Sequence, residues 1–214
     1  LALTFGVGTR RLRILADGEV MPSALSALRQ GFAYVWSTPV VRAVMLLAFL
    51  VNFAAYPLTG SLLAHVAKDI YRMDQTGLGW LIASFAGGAL TGSILVSLNG
   101  AHIRPARTMI VCTLVWLSLN LVFSWLTTPL LGEIVLFGAG LFQSFCMIPM
   151  SVILLRVTNP ALRGCVMGVR MLAVYGMPLG LLLSGPLVEW TGFAATATFY
   201  SVVGIVLTVA IALR

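Results

Sequence analysis

Charge is what this sequence lacks. Of its 214 residues only 9% are Asp, Glu, Lys or Arg, whereas 60% are hydrophobic, and the mean hydropathy is +1.03. A soluble domain needs charge on roughly a quarter of its residues to keep its surface in water. A chain this poor in charge needs another solvent for its exterior, and lipid is that solvent. Cysteine is scarce too. Cys112, Cys146 and Cys165 are odd in number and lie in or beside apolar stretches, so they read as small core residues, not as a disulfide or metal framework. His65 and His102 stand near the ends of two different helices, which leaves a four-ligand metal site without its ligands. No cofactor is expected. Basic runs interleaved with aromatics are missing, so no nucleic-acid partner is expected, and the pI near 10.0 reflects topology and contact with anionic lipid.

Long apolar runs are what is there. Six of them, at 40–64, 77–98, 108–126, 130–155, 165–188 and 193–213, are each about the 20 residues needed to cross a bilayer. Turn signals separate them: Met73-Asp74-Gln75, Asn99-Gly100, Thr128-Pro129, Asn159-Pro160 and Thr191-Gly192. The expected fold is an all-α membrane protein of six transmembrane helices, with no room for a soluble catalytic domain. Before it, residues 1–7 read as the tail of a preceding span, followed by Arg10, Arg11 and Arg13. Residues 17–38 read as a polar connector holding an amphipathic stretch at 24–36. The division is therefore 1–38, the end of a span and a central loop, and 39–214, the six-helix bundle. The chain opens on Leu1 and stops at a helix end, so we expect it to be half of a longer protein. The absence of a signal peptide then carries no information.

Basic residues orient the bundle. With residues 10–42 placed in the cytoplasm, alternation puts Arg104, Arg107, Arg156, Arg163, Arg170 and Arg214 on the same side as Arg10, Arg11, Arg13, Arg29 and Arg42. That is 11 of 13 basic residues. Only Lys68 and Arg72 fall outside, in a loop shared with Asp69 and Asp74; Glu133 and Glu189 are outside as well. This is the positive-inside bias, with both ends of the segment in the cytoplasm of a bacterial plasma membrane.

Six consecutive spans invite a search for an inverted three-plus-three repeat. The first helix of each triplet has a mid-span amide followed by proline: Asn52 with Pro57, and Gln143 with Pro149. The second helices are rich in glycine: Gly77, Gly79, Gly87, Gly88 and Gly92 in one, Gly168, Gly176, Gly180 and Gly185 in the other. The third helices have few such features and read as lipid-facing struts. Gly88-xxx-Gly92 and Gly176-xxx-Gly180-xxx-Ser184 put small residues on one face, where another backbone can approach closely. Such faces serve tight static packing or smooth sliding, and spacing does not choose between them.

Particular stretches resemble a known family. Asn159-Pro160-Ala161-Leu162-Arg163-Gly164-Cys165-Val166-Met167-Gly168 is similar to the cytoplasmic loop between the fourth and fifth helices of the C-terminal half in the major facilitator superfamily. Pro178-Leu179-Gly180, Ser184-Gly185-Pro186-Leu187 and Thr191-Gly192 continue the likeness. Leu28-Arg29-Gln30-Gly31-Phe32-Ala33-Tyr34-Val35, Thr38-Pro39 and Gly77-Leu78-Gly79-Trp80-Leu81 resemble the enterobactin-exporter-like branch. The resemblance covers about residues 24–213. It implies half of a twelve-helix secondary transporter, its partner being a missing N-terminal six-helix half. It also implies proton-driven export of a siderophore or drug-like molecule from a midplane site between the halves, and a gating role for the loop residues Arg104, Arg107, Arg163 and Gly164. The chain departs from the family at Ala161 and Cys165. The loop 99–107 lacks the family's Asp, which removes a partner from the charge network of that loop.

Polar groups at mid-membrane are the candidates for chemistry, because they are costly to leave facing lipid. Asn52 and Gln143 fall on helices that line the central cavity in the resembled fold. Tyr56 is one turn from Asn52, and Ser144, Met147 and Tyr175 complete a mixed lining suited to an amphipathic small molecule. The same amides would serve equally as hydrogen-bonding glue between helices, the preferred reading for Asn120 on a peripheral helix. No carboxylate lies inside a span, so an acid for proton coupling is either Glu133 or a residue of the missing half. Arg170 either faces an inner vestibule or snorkels to the surface. Other classes are a channel, a structural membrane subunit, or an intramembrane hydrolase, for which Ser184 next to Gly185 is the one tempting nucleophile. We expect no enzyme.

Overall fold

The computed structural model describes residues 24–60, 62–100 and 104–213. The expectations for residues 1–7, Arg10, Arg11, Arg13, residues 17–23, His102 and Arg214 fall outside them. Among the described residues all regular structure is helical. The helices are α1 (Ala24–Ser37), α2 (Pro39–Ala54), α3 (Tyr56–Thr59), α4 (Leu63–His65) with a π turn (Val66–Ile70), α5 (Gln75–Asn99), α6 (Pro105–Phe123), α7 (Pro129–Val157), a 3-10 turn (Pro160–Leu162), α8 (Arg163–Ala173), α9 (Gly176–Thr191) and α10 (Phe193–Ala212).

Together these make six stretches long and apolar enough to cross a membrane: Pro39–Ile70, Gln75–Leu98, Pro105–Phe123, Pro129–Val157, Pro160–Thr191 and Phe193–Ala212. They coincide with the six expected spans. Five begin earlier than the apolar pattern does, three of them because Pro39, Pro105 and Pro129 each open a helix, where a missing N–H is no loss and φ is already helical. α5 starts behind Asp74, whose carboxylate accepts from the Gly77 N–H at 2.9 Å. That bond holds the carboxyl below the ordinary carboxylate range. The exterior is apolar: Ile82 is 53% exposed, Leu90 63%, Leu98 77% and Leu182 72%. So continuous an apolar surface is stable only in a non-aqueous solvent. This is a multi-pass membrane bundle.

The glycine-rich helices pack as their spacing suggests, each against the first helix of the other triplet. A Cβ at Gly88 or Gly92 of α5 would run into the backbone carbonyls of Phe137 and Leu141 on α7. A Cβ at Gly176 or Gly180 of α9 would meet those of Phe49 and Phe53 on α2. The two contacts are one contact repeated: Gly88 and Gly176, Gly92 and Gly180, Phe49 and Phe137, Phe53 and Leu141 are each 88 positions apart. The same interval separates the starts of α5 and α8 (Gln75, Arg163) and of α6 and α10 (Pro105, Phe193). The repeat is thus present, with the two glycine faces in register. At 88 positions Asn52 matches Gly140 and Tyr56 matches Ser144, so pairing Asn52 with Gln143 across the repeat is corrected. Backbone approach sets the register, and one amide per helix is too sparse a signal to do so.

Proline acts differently in the two first helices. Pro57 has no N–H for the Phe53 carbonyl, and α2 gives way at Ala55 to short helical pieces that reach Ile70. Asn120 of α6 donates its side-chain amide to the Ala55 carbonyl at 3.4 Å, which also accepts from the Thr59 hydroxyl, so the break is tied to the neighbouring helix. Pro149 instead lies inside an uninterrupted α7 of 29 residues. The fifth span breaks at Val174–Tyr175, one turn before Pro178, which has no N–H for the Val174 carbonyl.

The third helices are not plain struts. Trp116, Leu117 and Asn120 of α6, and Tyr200, Ser201 and Thr208 of α10, are fully buried inside the bundle. Amphipathic α1 is docked and not free. Gly31 sits so close to the Cys165 carbonyl that a Cβ would stand 2.7 Å from it, and the Tyr34 hydroxyl donates to the Val157 carbonyl at 3.1 Å. α1 thereby ties together the end of α7 and the start of α8.

Candidate functional site

Four helices bring polar side chains together near the middle of the bundle. Tyr56 opens α3, just beyond the break in the first span, and its hydroxyl accepts from the Gln143 side-chain amide of α7 at 2.5 Å. The edge of one ring meets the face of the other where Tyr56 packs on Trp116 of α6, with centroids 5.4 Å apart and planes at 89°. Tyr56 and Gln143 are both half-buried, so the bond is held by packing on one side and open on the other. Met147, one turn along α7 from Gln143, is half-buried against the core. It adds a polarizable apolar wall of the kind that adapts to varied ligands.

Asn52 lies one turn before Tyr56 and is half-buried. Its amide donates to the Ala48 carbonyl of its own helix at 2.8 Å and makes no bond to another helix. Arg170 of α8 is the cation of the fifth span. It is half-buried and forms no ion pair among the described residues. A cation inside a span marks function by default.

The remaining candidates lie apart from this cluster. Ser144 is buried on the next face of α7 and donates to the Ala89 carbonyl of α5 at 2.7 Å, a bond that fastens two helices. Tyr175 is 66% exposed at the break between α8 and α9. Glu133 is half-buried and precedes Gln143 by ten residues of α7, about 15 Å along the axis. Arg104, Arg107, Arg163 and Gly164 are exposed at the helix starts on one side of the bundle, and none of the three arginines forms an ion pair among the described residues. Ser184 is buried with its hydroxyl donated to the Leu181 carbonyl at 3.0 Å, so its proton faces its own backbone and not a base.

Two features escaped the sequence. Trp116 supplies the aromatic wall behind Tyr56, yet in the chain it is one apolar residue of a third helix. His65 does not stand alone: its Nδ1 lies 2.7 Å from Asp69 and its ring 6.1 Å from that of Phe193. The four-residue spacing of His65 and Asp69 was the signal that could have found the pair. No His, Cys, Asp and Glu cluster suited to a metal occurs among the described residues.

This chain is similar to curated drug exporters. It is 29% identical over 183 residues to the multidrug efflux pump Tap of Mycolicibacterium fortuitum, an alignment covering 84% of this chain and 44% of the pump. It is 28% identical over 175 residues to the pumps of the same name from Mycobacterium tuberculosis strain H37Rv and Mycobacterium bovis BCG, covering 80% of this chain and 41% of each pump. The chain therefore spans less than half the length of these relatives. No protein-family model matches it, and no solved structure does. The likeness is to membrane efflux transporters, not to enzymes.

Proposed function

We propose that this chain is the C-terminal half of a twelve-helix secondary transporter of the major facilitator type. The whole protein exports drug-like small molecules by alternating access across the bacterial plasma membrane, with both ends of this segment in the cytoplasm. The observation that carries the reading is the Tyr56–Gln143 bond, a half-open polar contact joining the first helices of the two triplets at mid-span. Tyr56, Gln143, Asn52, Met147 and Arg170 form one wall of a cavity, and the upstream half supplies the other. Aromatic ring, amide, thioether and cation together suit an amphipathic compound. The likeness to multidrug pumps favours a drug-like cargo; the loop resemblance to the enterobactin-exporter branch makes a siderophore the narrower alternative.

A proton gradient is the proposed drive. Its titrating acid is Glu133, half-buried in the outer third of α7, or a carboxylate of the upstream half facing Arg170. The test is efflux from cells stripped of their own exporters. They would carry the whole protein as wild type, Gln143→Ala, Tyr56→Phe or Glu133→Gln, at matched membrane levels. Efflux should stop when a protonophore collapses the gradient. Gln143→Ala should lower it about fivefold, the equivalent of the ~1 kcal/mol that such a bond contributes inside a membrane. Transport unaffected by the protonophore would remove the coupling claim, and wild-type transport by both cavity variants would remove the cavity.

A further inference from the structure

The strongest unassigned feature lies at the start of the first span, before Asn52. Arg42, Leu46 and Phe49 follow one another at helical spacing along α2, and two apolar grooves flank them. One, of about 490 Å³, runs between α2 and α10 and is walled by Phe53, Leu207 and Ile211. The other, of about 250 Å³, runs between α2, α8 and α1 and is walled by Trp36, Val169 and Leu172. Arg42, Leu46 and Phe49 line both. Leu46 and Phe49, 47% and 40% exposed, form the ridge between them, and Arg42 stands where the two grooves meet.

We propose that this is a binding site for a two-chain anionic phospholipid, with one acyl chain in each groove and the headgroup phosphate on Arg42. Charge and depth name the occupant. Arg42 is in the first turn of its span, three residues from its Pro39 start, and therefore at headgroup level. Its guanidinium donates only a long 3.5 Å bond, to the Trp36 carbonyl, and it meets no carboxylate among the described residues. Trp36 itself is 69% exposed beside it, as expected of an aromatic at the membrane interface. Apart from Arg42 and the indole N–H of Trp36 the grooves are lined by apolar side chains, so they suit hydrocarbon and not a peptide backbone. Lipid tails gain little by exchanging bilayer for groove; selectivity comes from the head, and the two grooves select the number of chains. Arg42 lies at the entry to the span that carries Asn52 and Tyr56, so the bound lipid braces α2 against both α8 and α10.

The experiment is native mass spectrometry of the purified whole protein in detergent, titrated with phosphatidylglycerol, phosphatidylcholine and lyso-phosphatidylglycerol. Wild type should retain phosphatidylglycerol about fivefold better than phosphatidylcholine, the preference one interfacial arginine confers, and better than the single-chain form. Arg42→Gln should lose the headgroup preference, and Arg42→Lys should keep it. Ala210→Trp, which fills the larger groove without touching the charge, should reduce the two-chain lipid to the level of the lyso form. Arg156→Gln, an exposed cation of the same side outside the grooves, should change nothing. The proposal is overturned if Arg42→Gln keeps the preference, or if Arg156→Gln loses it equally, which would mean a generally basic surface. Equal retention of lyso and two-chain lipid also overturns it, as does failure of wild type to hold phosphatidylglycerol because protein covers the grooves.

Discussion

Replacing Gly92 by alanine tests the packing on which the cavity depends. Its new Cβ would lie 2.5 Å from the Leu141 carbonyl and 3.0 Å from the Ser144 Cβ, against 3.4 Å for ordinary contact. The nearest obstacle is backbone, so no rotamer change relieves it, and α5 and α7 must part locally by about 1 Å. Overpacking of this kind costs about 1–3 kcal/mol, set against about 1 kcal/mol gained by exchanging glycine for alanine inside a helix. Gly79, on the same helix, has nothing within 4 Å of its Cβ position and should show only the gain. Comparing the two variants cancels the helix term and leaves the clash. A difference of about 1–3 kcal/mol corresponds to roughly 2–12 °C in Tm for a domain of this size.

The assay is thermal unfolding of the purified whole protein, followed by a dye that reacts with thiols as Cys112 and Cys146 leave the core. Gly92→Ala should melt below Gly79→Ala. Gly180→Ala should fall with it, since Gly180 makes the equivalent contact on the Phe53 carbonyl. If Gly92→Ala melts as high as Gly79→Ala, the close approach is not what holds α5 to α7. If Gly180→Ala behaves like Gly79→Ala, the two contacts are not energetic equivalents and the repeat is geometric only.

Two further outcomes can be checked directly. The Asp74 carboxylate is held below its ordinary pKa by the Gly77 N–H, so its stabilisation is present above the unfolded value of 3.8 and fades as pH falls through the lower folded value. Asp74→Asn keeps a capping oxygen without the charge, so the drop in Tm between pH 6 and pH 3 should be smaller in the variant; an identical drop would show that the cap carries no pH dependence. Cys165, half-buried near the start of α8, should react in intact cells with a membrane-permeant maleimide but not with an impermeant one. Labelling by the impermeant reagent would invert the proposed orientation.

Composition alone was enough for the six spans, because charge is so costly in hydrocarbon that about 20 apolar residues without it point to a bilayer crossing. Span ends were less legible: the prolines at 39, 105 and 129 open helices ahead of the apolar pattern, and the first span runs on past its break to Ile70. The glycine faces could be read as faces, but their partners could not. Which carbonyl lies over Gly88 depends on how two helices cross, and nothing local to Gly88 records that. The site residues divided in the same way. Gln143 and Tyr56 were visible as polar groups at depth, while their mutual bond and the Trp116 wall were not.

The sequence by itself determined that this protein is a membrane bundle, where the six spans of its described residues lie, and which of their polar residues lie at depth. Those properties follow from the transfer of each residue between water and lipid, and transfer is additive along the chain. Only the tertiary structure decided the repeat register of 88 residues, the diversion of Ser144 to fastening helices, and the meeting of Tyr56 with Gln143 across 87 positions. These depend on which helix faces which, and that is set by the closest approach two backbones can make.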